Sequence, residues 1–219
     1  MPRLLFEKTG DAIWISHLDL MRLFQRAFKR AGLPLKHTQG FNPRPSVSIA
    51  LPLSVGVQSQ CELLDFELDG AHADCQSIMA ALNKTLPAGI KVLEAYDSGR
   101  KLSDLVFLRC CLVLEYDNGV PQNAVAEIEA LFQRDSLVVQ KKTKSGLQDQ
   151  NIIPMIRFLQ IKQETEREIC LEAVICCQNP TLNPAQISLA INNYLPALAP
   201  DFSKCFRIEI YDHDETVFR

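Results

Sequence analysis

A helix with clear signals at both ends constrains the fold of this chain most. Ser16, followed three residues later by Asp19, is a capping pair, because the serine oxygen accepts a hydrogen bond from the first turn and the carboxylate favours the positive helix end. Gly32 can adopt the left-handed conformation that ends a helix, and Pro34 cannot continue one. The sequence therefore predicts a helix that begins near His17 and ends just before Gly32.

The predicted helix has one apolar side and one basic side. Its apolar residues recur at steps of three and four, which is the period of a core-facing stripe: Leu20, Phe24, Ala27, Phe28 and Ala31. Four cations fall on a different side: Arg22, Arg26, Lys29 and Arg30. The pattern predicts a helix that packs on the core and exposes a basic face.

A stretch rich in glycine and proline follows the helix, with the sequence KHTQGFNPRPS from residue 36 to residue 46. Gly40, Pro43 and Pro45 disfavour both regular helix and central strand, so the stretch is predicted to be an irregular loop. The loop presents basic, polar and aromatic side chains that suit ligand contact: Lys36, His37, Phe41, Asn42 and Arg44.

Alternating apolar residues and turn signals predict a repeated order of elements. The first half has the order strand, helix, strand, strand, helix, strand, with the second strand near residues 46–51. This order is that of a ferredoxin-like domain with an antiparallel sheet. The order recurs after the polar residues 97–101, with a helix predicted from Pro121 to Phe132 and one extra hairpin strand. We therefore expect an α+β fold of two tandem ferredoxin-like (βαββαβ) domains with antiparallel sheets, at residues 1–98 and 103–219.

The net charge of −3 conceals a local excess of positive charge. Residues 1–50 hold eight Lys and Arg against three Asp and Glu, whereas the rest of the chain is acidic. A basic helix followed by a basic loop is typical of surfaces that bind phosphate backbones, although a solvated face or a site for an acidic protein has the same charge.

Two smaller features carry weaker predictions. Lys141, Lys142 and Lys144 form a second basic cluster at a predicted hairpin tip, where a solubilising edge strand is the simpler interpretation. His72 and His213 lie among acidic residues and receive no function.

The sequence also argues against a membrane protein. Its start lacks a long apolar signal core, and no run approaches the ~18 apolar residues that a membrane helix needs. With 47% hydrophobic and 22% charged residues the chain is expected to be globular, cytoplasmic and without membrane contact.

The residues quoted above carry a resemblance to a known family. The run ISHLDLMRLFQRAFKRAGLPLKHTQGFNPRPSVSIALPLSVG resembles the opening of the radical SAM-linked proteins, an uncharacterised bacterial family. Its members are fused to, or encoded beside, radical SAM proteins with a cobalamin-binding-type domain. The resemblance is close over residues 3–68, and KKTKSGLQDQNIIPMIRFLQI resembles the family's second half. It implies a bacterial protein with a radical SAM partner, and it supplies no catalytic residue.

Together with this resemblance, the cysteine spacing implies that the chain is a companion of such an enzyme and does not hold the iron–sulfur cluster itself. None of the eight cysteines has C-x-x-C spacing, and the C-x-x-x-C-x-x-C cluster motif of radical SAM enzymes is absent. We expect buried, reduced thiols, no metal and no cofactor.

The sequence therefore predicts an accessory protein that binds RNA, or presents a substrate, for a radical SAM enzyme acting on tRNA or rRNA. Tandem ferredoxin-like domains also occur in RNA-handling proteins, including the CRISPR repeat-processing family, although the fold hosts many functions. One alternative is a metal-independent RNA-processing or RNA-modifying enzyme centred on His37, with histidine as general base. A second alternative is a protein-interaction module that contacts no nucleic acid.

Overall fold

A computed structural model describes residues 1–70, 74–143 and 146–219. His72 and Lys144 lie outside the described residues. The described chain divides into two compact units: unit 1 is Met1–Leu102 together with Arg219, and unit 2 is Ser103–Phe218. Both units combine α-helices with antiparallel strands, which confirms the α+β class. No described helix is both long enough and apolar enough to cross a membrane.

Unit 1 has two α-helices and four strands among its described residues. In chain order these are β1 (Pro2–Lys8), α1 (His17–Arg30), β2 (Val47–Ile49), β3 (Gln58–Phe66), α2 (Cys75–Asn83) and β4 (Ile90–Asp97). β1 lies between β3 and β4, and β2 pairs with the other edge of β3, so the order in this unit is β4-β1-β3-β2. All of these pairs are antiparallel.

Helix α1 forms as the sequence predicts. The Ser16 Oγ accepts a hydrogen bond of 3.2 Å from the Asp19 amide, and the serine hydroxyl donates one of 2.8 Å to the Asp19 carboxylate. Gly32 follows the helix with φ of 71°, a conformation that a residue without Cβ adopts readily. Local sequence therefore sets both ends of α1.

The apolar stripe of α1 packs on the sheet through two aromatic pairs. The ring centroids of Phe6 and Phe24 lie 4.7 Å apart in an edge-on arrangement, and those of Phe28 and Phe66 lie 4.9 Å apart. All four side chains are fully buried. Burying each one stabilises the fold by about 1.5–3 kcal/mol, and it fixes the rotation of α1 so that the basic side faces solvent.

Unit 2 has two α-helices and six strands among its described residues. They are β5 (Phe107–Glu115), α3 (Ala124–Phe132), β6 (Val138–Thr143), β7 (Gly146–Asn151), β8 (Ile156–Gln163), β9 (Glu168–Cys176), α4 (Ala185–Tyr194) and β10 (Phe202–Tyr211). β5 lies between β10 and β9, and β8 pairs with β9, all antiparallel. β6 and β7 form a separate hairpin, at the place of the predicted extra strand.

Two predicted boundaries were wrong. The sequence predicts that a helix begins at Pro121, whereas α3 begins at Ala124, because Asn123 has φ of 61° and interrupts the helical path. The strand predicted near residues 46–51 ends at Ile49, and the backbone turns at Leu51 with φ of 47°.

Candidate nucleic-acid interface

The basic side of α1 is exposed, and its cations differ in their partners. The Arg22 Nη1 lies 3.0 Å from the Asp19 Oδ1 in an exposed ion pair. Hydrogen bonds from Ser16 and then from Arg22 hold the pKa of the Asp19 carboxyl below its usual value. The Arg30 Nη2 donates a 2.8 Å hydrogen bond to the Thr85 carbonyl. Both arginines are therefore already engaged within the protein.

Three other predicted cations form no ion pair among the described residues. In the described parts of the chain, the side chains of Arg26, Lys29 and Arg44 form no ion pair, and all three are exposed. Lys36 differs, because its Nζ lies 3.0 Å from the Glu67 Oε2. A cation that forms no ion pair breaks no salt bridge when it meets a phosphate, so these three side chains are the strongest candidate contacts. Arg26 does interact electrostatically with Asp19, which lies on the same helix.

Backbone hydrogen bonds close the base of the loop that follows α1. The Ser46 amide donates to the Lys36 carbonyl at 2.7 Å, and the Thr38 amide donates to the Arg44 carbonyl at 2.8 Å. Between these bonds His37 forms an isolated antiparallel bridge with Pro45. The loop contains no regular strand here, as predicted, but it is a narrow hairpin and not an irregular excursion.

The tip of this hairpin presents an aromatic ring to solvent. Phe41 is fully exposed, and Asn42 beside it is exposed as well. Gly40 precedes them with φ of 135°, a conformation that disfavours any residue with a side chain. An exposed phenylalanine at a hairpin tip loses hydrophobic stabilisation unless a ligand covers it, so its position suits stacking.

Two cavities flank Arg26. The first, here called the Thr85 cavity, measures about 560 Å³ and lies between α1 and the segment after α2. Arg22, Arg26 and Arg30 line it. The second, the His37 cavity, measures about 700 Å³ and lies between the C-terminal half of α1 and the base of the loop.

The His37 cavity joins residues that the sequence left separate. It brings Arg26 and Lys29 of α1 together with His37 of the loop. Phe41, Asn42 and Arg44 do not line it. The predicted residues thus fall into three groups, which are the rim of this cavity, the Thr85 cavity and the outer part of the loop, and Lys36 stands apart in its ion pair with Glu67.

The walls of the His37 cavity were not predicted from the sequence. They are formed by the segment that leaves α1 and by the far side of the loop: Leu33, Pro34, Leu35 and Pro45, with Gln25 from the helix. The sequence does contain one signal for these walls. The glycine at the helix end is followed by alternating leucine and proline, and this pattern predicts that the chain reverses alongside the helix.

Two of the buried cysteines, Cys110 and Cys177, are poor candidates for metal ligation. Across the described chain all eight cysteines are free thiols. Burial raises the pKa of the Cys177 thiol to about 12. A hydrogen bond with Cys205 and, after it, burial raise the pKa of the Cys110 thiol. Thiols with raised pKa values hold their protons at neutral pH and are poor nucleophiles and ligands.

The described residues hold one cluster of three potential metal ligands, Asp212, His213 and Asp214. Asp212 already caps a turn, since its carboxylate accepts hydrogen bonds from the Asp214 amide and from the Thr216 amide and hydroxyl. The cluster is therefore explained as turn structure.

Solved structures share this fold at very low sequence identity. A Cbf5–Nop10–Gar1 complex matches with a TM-score of 0.56 and 7% identity, covering 99% of this chain and 51% of the other. An H/ACA RNP bound to a substrate RNA containing 2′-deoxyuridine matches with a TM-score of 0.50 and 8% identity, covering 99% and 50%. This chain thus spans about half the length of these two matched chains, and the likeness is one of fold alone.

Sequence comparison places the chain more firmly. No curated protein matches it. A family model matches residues 2–184, which is most of the chain. The chain therefore belongs to the family described as uncharacterized protein conserved in bacteria (DUF2344).

Proposed function

We propose that this chain binds RNA and presents it to a radical SAM enzyme that acts on tRNA or rRNA. The observation that carries the RNA proposal is the set of exposed cations that form no ion pair in the described chain, Arg26, Lys29 and Arg44. Phosphates are the commonest contacts of RNA-binding surfaces, and such cations attract them without first breaking an ion pair. Arg22, Arg30 and Lys36 add a weaker attraction, because each is already engaged.

Exposed rings near these cations favour RNA that is not paired. Phe41 at the hairpin tip and His37 at its base are both exposed. Unpaired bases stack on aromatic side chains, whereas a duplex keeps the faces of its bases covered. Asn42 lies beside Phe41 and can donate to or accept from a base edge. The favoured substrate is therefore a single-stranded loop or end of tRNA or rRNA.

We infer that both units are ferredoxin-like domains, at residues 1–98 and 103–219. The orders β4-β1-β3-β2 and β10-β5-β9-β8 correspond strand by strand, with the β6–β7 hairpin as an insertion in the second. One of the matched structures is an H/ACA RNP bound to a substrate RNA. This match is compatible with RNA binding on such a fold.

The domain boundary has a direct test. Lys101 is exposed and lies between the two proposed domains. Brief trypsin treatment should cut after Lys101 and leave two fragments of about 100 residues, as expected for a linker between compact domains. Preferential cleavage inside residues 60–96, seen by mass spectrometry, would contradict this boundary.

The radical SAM partner is supported by the resemblance of residues 3–68 to radical SAM-linked proteins. Because this chain lacks the C-x-x-x-C-x-x-C motif, the partner would supply the iron–sulfur cluster and the radical chemistry. In this proposal this chain binds the RNA, and the radical SAM enzyme carries out the reaction. Copurification of native protein from its host, followed by identification of the bound protein and RNA, tests both the radical SAM partner and the RNA.

A second candidate function is an RNA-processing or RNA-modifying enzyme centred on His37. It is favoured by one observation: His37 shares a cavity with Arg26 and Lys29. An imidazole can act as a general base while neighbouring cations stabilise phosphate charge.

Replacing His37 by alanine should separate the two functions. If the chain is an accessory, His37→Ala weakens RNA binding and there is no intrinsic turnover to lose. If it is an enzyme, the variant still binds RNA but turnover falls by about 100-fold or more, because a general base has been removed. The measurement is cleavage or modification of host RNA by purified chain alone, beside its binding affinity.

His213→Ala is the matched control, since His213 is also an exposed histidine but lies in unit 2. It should change neither binding nor turnover. A third outcome is that the wild-type chain binds no host RNA at low salt and still binds the radical SAM partner. That outcome would support the remaining alternative, which is a protein-interaction module that contacts no nucleic acid.

A further inference from the structure

The size of the His37 cavity limits what it holds. Its volume of about 700 Å³ falls within the ~300–1,000 Å³ of small-ligand sites. An inorganic phosphate is much smaller than such a site, whereas a base with its sugar and phosphate is a typical occupant. Stacking in this site needs a base with an exposed face, which an unpaired base offers and a duplex does not.

The wall and the rim of the cavity differ in chemistry. Leu33 and Leu35 are nearly buried and form an apolar wall with Pro34 and Pro45. The rim carries two cations and an imidazole: Arg26, Lys29 and His37. None of the nine described residues that line the cavity is acidic. The site therefore matches a ligand with a flat, weakly polar ring and one anionic group.

The fold holds the ring-binding side in place before any ligand arrives. His37 is bridged to Pro45, and the flanking hydrogen bonds of Ser46 and Thr38 fix the backbone on both sides of that bridge. On the opposite side, Arg26 and Lys29 project from a helix whose buried face is locked by aromatic packing. A site whose two sides are already ordered loses less entropy on binding.

We propose that the His37 cavity binds one unpaired nucleotide. Its base lies between Pro34 and Pro45 and stacks on the His37 imidazole, and its phosphate contacts Arg26 and Lys29. The inference rests on the proposed function where the nucleotide belongs to an RNA strand. A free nucleoside monophosphate has the same chemistry and is the second possible source.

Calorimetry with five probes tests the inference: adenosine 5′-monophosphate, adenosine, inorganic phosphate, a single-stranded RNA of about ten nucleotides, and the duplex of the same RNA. Adenosine 5′-monophosphate should bind at least about 10-fold more tightly than adenosine or phosphate, because it engages both wall and rim. It should compete with single-stranded RNA, and the single strand should bind about 10-fold more tightly than the duplex.

Variants assign the binding to this cavity. His37→Ala and Lys29→Gln should each weaken adenosine 5′-monophosphate binding by about 10-fold. Lys91→Gln is the control, because Lys91 is an exposed cation of the same unit on β4, away from the cavity, and should have no effect. Circular dichroism checks the fold of each variant, and photolabelling with an azido analogue of the nucleotide should mark residues 33–45.

The outcomes separate this inference from the proposed function. Phosphate binding as tight as that of the nucleotide, or nucleotide binding that neither variant weakens, overturns the inference. RNA binding with which the nucleotide does not compete also overturns it and leaves the RNA proposal standing. Nucleotide binding in this cavity without any RNA binding supports the site, assigns it to free nucleotide, and overturns the RNA proposal.

Discussion

Replacing Arg26, Lys29 and Arg44 together by glutamine should lower the affinity for single-stranded RNA by about 100-fold at 0.1 M salt. Each phosphate contact on a single strand contributes about 0.7 to the slope of log affinity against log salt. Removing three contacts flattens that slope by about two units, which corresponds to about two orders of magnitude at 0.1 M. Fluorescence anisotropy with a labelled strand, repeated over a range of salt, measures both quantities.

A matched variant in unit 2 controls for the loss of three charges. Arg134, Lys162 and Arg167 are exposed cations outside the proposed interface, and their replacement by glutamine removes the same net charge. This variant should keep the slope of the wild type. If the two variants lost equal RNA affinity, the affinity would depend on total charge, and the surface around Arg26 would not be a specific RNA-binding site. Both sets face solvent, so each change should cost under about 0.5 kcal/mol of stability.

Arg3→Ala should lower the free energy of unfolding by about 3–5 kcal/mol. The buried Arg3 guanidinium contacts both oxygens of Asp65, at 2.6 Å and 3.1 Å. It also donates to the Ser98 hydroxyl at 3.0 Å and to the Arg100 carbonyl at 2.8 Å. Removing it leaves the Asp65 charge buried without this partner.

Urea unfolding measures this loss, with far-ultraviolet circular dichroism and the fluorescence of Trp14 as probes. Trp14 is the only tryptophan and lies in unit 1, so its signal reports on the unit that contains the change. The double variant Arg3→Met with Asp65→Leu should recover most of the stability, since an apolar pair often replaces a buried ion pair without loss. A double variant as unstable as Arg3→Ala would show that the ion pair itself is not the cause.

The sequence predicts α1 well because its signals are local. The Ser16 cap and the Gly32 end depend on residues within one helical turn, and the apolar period alone identifies the buried side. The ion pair between Arg22 and Asp19 is also local, at a spacing of three residues. Helical periodicity is therefore sufficient to locate the basic face.

The partners of other cations could not be predicted in this way. Lys36 pairs with Glu67, and Arg30 bonds to Thr85, both contacts between residues far apart in sequence. They depend on how the loop and α2 pack beside α1. The four helix cations are therefore equivalent in the sequence pattern, whereas the structure separates Arg26 and Lys29 from their engaged neighbours.

The His37 cavity could not be predicted from the sequence for the same reason. It exists because the chain reverses at Gly32 and because His37 forms a bridge with Pro45. A proline- and glycine-rich stretch predicts a loop but not the pairing within it. In unit 2, strand β7 was missed because its sequence GLQDQN has little strand propensity, and only its pairing with β6 makes it a strand.

The most direct test of the central claim is the salt dependence of RNA binding by the unmodified chain. Purified protein is titrated against labelled single-stranded host tRNA or rRNA segments from about 0.05 to 0.3 M salt. The proposed surface predicts measurable binding at low salt and a slope of about −2, from three single-strand phosphate contacts. An absence of binding at the lowest salt, or an affinity that does not change with salt, would contradict it.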